Sequence, residues 1–273
     1  MNLTLIAGLL IAVFVVAWSV LEVGSTAALF NLHGFLIVFG GTVSTALMST
    51  PLRQLSSAMR QAFALFFPQH LPTASEAVTE IVRLARMAHA GGGLLSLQGQ
   101  GRDFVDGFLH RAITVAIATG ESGQLRKIME RQIRLIRIGR QEDTNVFRTI
   151  SVLSPMFGIL GTLLGMIQVL GALSDPTKVG PAMALALSSA FLGISVSNFV
   201  CVPIAGALRL RAMRETLVLE IALEGMLDIQ SGKAPYLVEL HLASYSEERR
   251  GEMEAGESGH AAKPAAAVGP GAG

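Results

Sequence analysis

Four long apolar segments constrain this chain more than any other feature of its sequence. They occupy residues 3–21, 32–48, 150–173 and 180–208, and they contain no Asp, Glu, Lys or Arg. A helix that crosses a membrane needs about 20 mostly apolar residues, and only helices and closed barrels can cross one. We therefore expect an all-α integral membrane protein with four transmembrane helices.

The first of these segments shares its apolar character with secretory signal peptides. A signal peptide begins with a basic region and ends at a cleavage site of small residues. No basic residue precedes the segment at 3–21, and no such cleavage site follows it cleanly. We therefore expect this segment to be retained as a transmembrane helix.

The distribution of arginine predicts how the chain is oriented in the membrane. The polar stretch at 50–149 holds twelve arginines, whereas Lys178 is the only Lys or Arg of the two other, short loops. Basic residues are enriched on the cytoplasmic side of membrane proteins. The sequence therefore predicts that the polar stretch and both termini lie in the cytoplasm.

Amphipathic patterns predict helices in the polar stretch. Apolar residues recur with helical spacing at 74–90, 104–118 and 125–138. A charged helix continues beyond the fourth span, and the Ala/Gly/Pro-rich tail after it is expected to be disordered. The predicted parts are a first transmembrane hairpin, a cytoplasmic helical domain, a second transmembrane hairpin, a cytoplasmic helical extension and a disordered tail, at 1–49, 50–149, 150–208, 209–245 and 246–273.

The sequence offers no set of residues for catalysis or metal binding. The single cysteine, Cys201, lies in an apolar run, and the six histidines are scattered without the spacing of metal ligands. The formal net charge of +1 lacks the basic surplus of a nucleic-acid-binding protein. We therefore predict that the protein is not an enzyme, holds no metal or cofactor and binds no nucleic acid.

The apolar segments also lack an acid of their own. No Asp, Glu, Lys, Arg or His lies deep inside the first, third or fourth segment. A protein that moves ions usually carries an ionisable side chain at membrane depth. Either this chain moves no ion, or a second protein supplies the acid.

Small and hydroxyl-bearing residues recur at three- or four-residue spacing in the last two segments. Such spacing places them on shared helix faces and lets helices approach closely. The hydroxyls can bond a backbone carbonyl of their own helix, or they can offer oxygen to a hydrated ion. Both interpretations are open for these residues: Gly158, Thr162 and Gly165 in the third segment, and Ala182, Ala186, Ser189, Ala190, Gly193 and Ser197 in the fourth.

Two prolines interrupt the same segments. Pro155 lies near the predicted cytoplasmic start of the third, and Pro203 near the cytoplasmic end of the fourth. Each proline removes one helical hydrogen bond and permits a kink. At similar depth they would let the cytoplasmic ends bend relative to the membrane; the alternative is a pair of static kinks.

Two motifs in these segments resemble the MotA/TolQ/ExbB family. The third segment contains SPMFGILGTLLG at 154–165, and the fourth contains GPAMALAL at 180–187, followed by Gly193, Asn198 and Pro203. The layout of two spans, a long cytoplasmic stretch and two further spans is similar to the MotA/PomA branch. The resemblance covers roughly residues 1–245.

This resemblance implies a subunit of an ion-driven rotary motor, embedded in the lipid of the bacterial inner membrane. Members of the branch form a homopentamer around two copies of a single-span MotB- or PomB-like partner. The partner's aspartate binds the ion, and ion flow turns the pentamer, which would explain the missing acid. By resemblance, Pro155 and Pro203 would be coupling hinges, and the ion path would be lined by Gly158, Thr162, Gly165, Ala186, Ser189 and Ala190.

One departure from the family pattern bears on the transported ion. The fourth helix of the family commonly carries a threonine where this chain has Ala190, and Ser189 is the neighbouring hydroxyl. Thr162 matches a threonine found in sodium-driven members, but proton-driven members share it. Because Na⁺ needs several oxygen ligands, the pattern favours H⁺, with Na⁺ as the alternative.

A second departure bears on the load. Flagellar members contact the rotor, which includes the protein FliG, through charges on the cytoplasmic stretch. This chain has Ala90 at the basic position and Gln98 at the acidic one, so Arg83, Arg86 and Arg102 nearby are the remaining partner-facing candidates. The leading hypothesis is a flagellar stator. The alternatives are a motor of the same family for gliding, envelope energy transduction or defence, and a non-conducting membrane scaffold.

Overall fold

The computed structural model describes residues 32–67 and 71–245, together with the scattered positions 7, 8, 10, 11, 14, 15, 18 and 247. Apart from those positions, the predicted first span and the predicted tail lie outside the described residues. The chain divides into two compact units. We call them the apolar unit, at 1–69 and 138–212, and the charged unit, at 70–137 and 213–273.

All regular structure in the described ranges is helical, as the sequence predicts. Helices α1, α5 and α6 are each long and apolar enough to cross a membrane. In chain order the helices are α1 at Leu32–Ser49, α2 at Leu52–Ala64, α3 at Ala74–Ala90, α4 at Phe108–Thr119, α5 at Ser122–Gly171, α6 at Pro176–Gln230 and α7 at 235–245, with a 3-10 turn at Leu94–Leu97.

Helix α5 joins two segments that the sequence analysis treats as separate helices, at 125–138 and 150–173. The intervening residues are mostly polar, but they include no proline, and one glycine inside a helix costs only about 1 kcal/mol. The change from polar to apolar residues therefore marks a change of surroundings, not a break in the backbone. Pro155 lies inside this continuous helix.

Helix α4 begins later than the sequence predicts. Its first residue is Phe108, not Phe104, because the residues just before it are not helical. Val105, Asp106 and Gly107 have positive φ angles of 43°, 51° and 73°, which lie outside the right-handed helical region. Because apolar spacing carries no information on φ, the hydrophobic pattern does not reveal this start.

Two stretches of the membrane helices are wound more widely than an α-helix. A π-helical segment occupies Leu36–Gly40 in α1, and another occupies Val196–Cys201 in α6, just before Pro203. A proline ring clashes with the carbonyl four residues earlier in a regular α-helix. A π segment is one way to accommodate that clash, and such segments are frequent at functional sites.

The core of the apolar unit is narrow, and much of its surface is apolar. Helix α2 packs through Ala58 and Ala62 against Val146, Phe147 and Leu208. Many large side chains of the long helices point outward instead, among them Leu163, Ile167 and Leu170. Helices that are apolar on nearly every side suit a lipid environment.

The charged unit has a conventional hydrophobic core. Helix α3 begins with a capping box in which the Thr73 hydroxyl accepts from the backbone N–H of Glu76, and the Glu76 carboxylate accepts from the N–H of Thr73. All helices of the unit contribute fully buried side chains to this core, among them Ile81, Leu84, Phe108, Leu109, Leu125, Met129, Leu219, Ile221, Met226, Val238 and Leu242.

Candidate functional site

Helices α5 and α6 approach so closely that their backbones touch. A Cβ atom added to Gly165 would lie 2.7 Å from the Cβ of Ala186 and 2.9 Å from the carbonyl oxygen of Ala182. A Cβ atom added to Gly158 would lie 3.1 Å from the carbonyl oxygen of Ser189. Real Cβ atoms essentially never approach within 3.0 Å, so the small residues permit this crossing.

A hydrogen bond between the two helices lies at the level of Pro155. Proline has no N–H, so the carbonyl four residues earlier, that of Ser151, has no helical donor at that place. The hydroxyl of Ser197 on α6 donates to this carbonyl oxygen at 2.6 Å. The acceptor that Pro155 releases on α5 is therefore satisfied by a side chain from the π segment of α6.

Three membrane helices meet at Ser189. Its side chain is fully buried, and its hydroxyl donates to the carbonyl oxygen of Leu185 at 2.7 Å. A Cβ atom on Gly34 of α1 would lie 2.9 Å from the Ser189 Oγ, and one on Gly161 of α5 would lie 2.4 Å from its Cβ. Ser189 is thus a packing residue at the centre of the apolar unit.

The predicted ion-path residues fall into two groups. Gly158, Gly165, Ala186 and Ser189 are buried in the contact between α5 and α6, as close helix packing requires. Thr162 and Ala190 are only partly buried. The Thr162 hydroxyl donates to the carbonyl oxygen of Ile159 at 2.6 Å, which leaves its oxygen able to accept. Thr162 is therefore the one hydroxyl among the six predicted residues that stays accessible.

Some polar groups of interest carry no signal in the sequence analysis. The Thr42 hydroxyl of α1 is buried without a hydrogen-bond partner, and so is the side-chain amide of Gln230. The sequence does not reveal the role of Ser197 either, although Pro155 signals an unpaired carbonyl four residues earlier. Within the described ranges, no group of three His, Cys, Asp or Glu residues could hold a metal ion.

The predicted partner-facing residues are all exposed on the charged unit. Arg83 is nevertheless engaged, because its guanidinium makes two hydrogen bonds to Glu80, at 2.6 and 2.9 Å. These bonds raise the pKa of Arg83 above its ordinary value. Arg86 and Arg102 are the exposed cations of the set with no ion pair to another described residue, and Ala90 and Gln98 are uncharged.

Ion pairs connect α5 and α6 within the charged unit. Arg126 donates two hydrogen bonds to Glu224, at 2.8 and 3.0 Å, which raises the pKa of Arg126. Arg137, further along α5, pairs with Glu220, which lies one turn before Glu224 on α6. The four side chains line a cleft of about 250 Å³. Partly exposed pairs of this kind contribute at most about 1 kcal/mol each, so they orient the helices more than they stabilise them.

A family model and individual relatives both show similarity to this chain. Residues 100–221 match the family model described as the MotA/TolQ/ExbB proton channel family. The chain is 30% identical to the Chemotaxis protein PomA of Vibrio alginolyticus over 94% of this chain and all of that protein. It is 29% identical to Motility protein A of Aquifex aeolicus, over 89% of this chain and 96% of that protein.

Solved structures show the same fold. The structure of C. jejuni MotAB aligns with a TM-score of 0.80 at 22% identity, over 90% of this chain and 96% of that one. The flagellar MotAB stator complex of Bacillus subtilis aligns with a TM-score of 0.74 at 26% identity, over 86% of this chain and 94% of that one.

Proposed function

The chain belongs to the MotA/TolQ/ExbB family, and on that basis we propose that it is the membrane subunit of an ion-driven flagellar stator. It is a multi-pass membrane protein of a proton-channel family, not of an enzyme family. In the proposed assembly five copies surround two copies of a MotB-like single-span partner in the bacterial inner membrane. Both termini of each copy lie in the cytoplasm.

One observation carries this proposal: two tightly packed membrane helices contain no acid, and Thr162 beside their contact keeps its hydroxyl accessible. The spans of α5 and α6 at 150–171 and 180–208 contain no ionisable side chain except the buried Cys201. Thr162 lies beside their contact with its hydroxyl accessible. An ion path along this face therefore needs an acid from a partner, and the similarity to MotAB complexes supports a MotB-like one.

In this proposal the six predicted ion-path residues have two different roles. Thr162 and Ala190 line the path. Gly158, Gly165, Ala186 and Ser189 hold the two helices together behind it. Pro155 and Pro203 are the coupling positions, and Ser197 satisfies the carbonyl that Pro155 releases.

The transported ion in this proposal is H⁺. Selective binding of a dehydrated cation requires several oxygen ligands around it. Ser189 is buried and bonded to its own helix, and Ala190 has no side-chain oxygen, so Thr162 is the one residue of the predicted path set that offers an accessible side-chain oxygen. A proton needs only the partner's carboxylate and water. Na⁺ is the alternative, supported by similarity to PomA.

The load in this proposal is a flagellar rotor. The similarity to PomA and to Motility protein A extends over about nine tenths of this chain. Exposed Arg86 and Arg102 are the cations that would contact the rotor, whose protein FliG is the expected partner. A motor of the same family that drives another machine is the second candidate, because Ala90 and Gln98 carry no charge.

Deletion of the gene tests the flagellar load. In a strain without a second stator set, we expect tethered cells to stop rotating and to recover when the chain is expressed again. Complementation with Arg86→Ala/Arg102→Ala should restore ion flow but with reduced torque, whereas Arg60→Ala, at another exposed arginine, should restore both ion flow and full torque. Unchanged torque after deletion would contradict the flagellar load.

A further inference from the structure

Helix α7 presents an apolar face that no described residue of its own unit covers. Val238 and Leu242 are fully buried on its inner side. On its outer side, Tyr236, Leu237 and Leu240 are 71%, 50% and 57% exposed. Single exposed apolar side chains are normal on a protein surface, but a contiguous group marks an interaction site. We call these three residues the α7 face.

The same unit carries a second uncovered apolar strip on α5. Ile128 and Leu135 lie two helical turns apart and are 46% and 62% exposed. At 100° per residue they lie roughly 160–180° around α5 from Arg126 and Arg137, which face α6. We call Ile128 and Leu135 the α5 stripe.

The surroundings of the two apolar surfaces have opposite charge. Exposed Lys127 and Arg131 flank the α5 stripe, and neither forms an ion pair with another described residue. Exposed Glu239 directly precedes Leu240 of the α7 face. Complementary potentials steer association and set the register of a docked pair.

We propose that the α7 face of one copy docks on the α5 stripe of the next copy, so that the charged units of neighbouring copies form a closed ring. The inference rests on the proposed function, which supplies several copies in one complex. Because the two surfaces differ, the contact is head-to-tail and leaves no unpaired surface once the ring closes. Leu240 and Leu135 lie near its centre, and Glu239 faces the basic flank of the stripe.

A second copy fits these surfaces better than a lipid bilayer does. Anionic headgroups attract basic segments, whereas they would repel Glu239 beside the α7 face. A partner for that face has to be apolar and basic. The α5 stripe has that composition, and every copy of the chain carries one.

Disulfide crosslinking in native membranes tests the head-to-tail contact. The background is Cys201→Ala, since Cys201 is the only cysteine of the chain. Leu135→Cys combined with Leu240→Cys should give a ladder of crosslinked multimers on oxidation. Either substitution alone should give no ladder, and the two single variants expressed together should give dimers only. Ala118→Cys combined with Leu240→Cys is the matched control, because Ala118 is exposed on α4, and should give none.

Charge reversal gives an independent readout. Arg131→Glu should weaken the complex so that its monomer fraction in mild detergent rises several-fold, and so should Glu239→Arg. The double variant should recover the native mass. An intact complex of native mass with no Leu135–Leu240 ladder would overturn this inference and leave the proposed function standing. A native chain that is monomeric in its own membrane would overturn both.

Discussion

The Ser197 hydroxyl on α6 donates a 2.6 Å hydrogen bond to the carbonyl oxygen of Ser151 on α5. This acceptor exists because Pro155, four residues further on, has no N–H to offer it. The bond therefore connects a proline of one membrane helix to the π segment of the other, Val196–Cys201. Any movement that separates the two helices at this level has to break it.

Loss of this bond should destabilise the protein only while Pro155 is present. Ser197→Ala leaves the partly buried Ser151 carbonyl without this donor, which costs about 1 kcal/mol. In a Pro155→Ala background the restored N–H supplies the helical donor, so the same substitution should cost much less. Thermal unfolding of the four variants in detergent measures this coupling. Equal losses in both backgrounds would show that Ser197 does not serve the carbonyl released by Pro155.

Gly193 should tolerate no side chain. A Cβ atom there would lie 2.5 Å from the carbonyl oxygen of Ser154 and 3.0 Å from the Cα of Gly158. Gly193→Ala forces α5 and α6 apart, and overpacking of this kind costs about 1–3 kcal/mol. Gly206→Ala on the same helix is the control, because nothing lies within 4 Å of its added Cβ, and it should be neutral or stabilising. We expect a lower melting temperature for Gly193→Ala only.

Much of this architecture follows from sequence pattern alone. The apolar segments at 32–48, 150–173 and 180–208 correspond to α1 and to parts of α5 and α6, because lipid demands long apolar helices. The small-residue spacing also indicates close packing, and the structure shows Gly158 and Gly165 against α6.

Other features depend on which residues meet in space. Ser197 and Ser151 are 46 positions apart, and no local pattern pairs them. The burial of Ser189 depends on Gly34, which belongs to a different hairpin of the sequence. The late start of α4 depends on the positive φ of Val105, a conformation that a β-branched residue rarely adopts.

Two lysine–aspartate pairs should differ in strength because their burial differs. Lys233 donates to Asp228 at 2.6 Å, and the carboxylate is only 6% exposed. Lys178 pairs with Asp175, which is 40% exposed. Lys233→Met leaves the buried Asp228 carboxylate with His241 as its other side-chain partner and should cost about 1–3 kcal/mol. Lys178→Met should cost less than about 1 kcal/mol. Chemical denaturation measures the loss of unfolding free energy in the two variants, and equal losses would contradict a role for burial.

The aspartate that caps α6 should titrate below its ordinary range. The pKa of Asp175 is lowered from its usual 3.8, chiefly by the Thr177 hydroxyl that donates to it at 2.6 Å and also by Lys178. Its contribution to stability is therefore present above about pH 4 and is lost as the pH falls through the lowered pKa. Thr177→Val should raise the pKa of Asp175 toward 3.8, as measured by NMR titration. If the pKa of Asp175 did not change in Thr177→Val, the Thr177 hydroxyl would not be the cause of the lowered pKa.

Proton flux through the native complex tests the central claim, that this chain lines an ion path beside Thr162 and borrows its acid. The complex is purified from membranes through a tag on this chain and placed in liposomes with a pH-sensitive dye. We expect the native complex to conduct, the chain stripped of its partner not to conduct, and Thr162→Val to lower the flux about tenfold, the effect of losing roughly one hydrogen bond. Thr114→Val, on the exposed side of α4, should conduct normally. Native flux in Thr162→Val, or flux through the chain alone, would contradict the account.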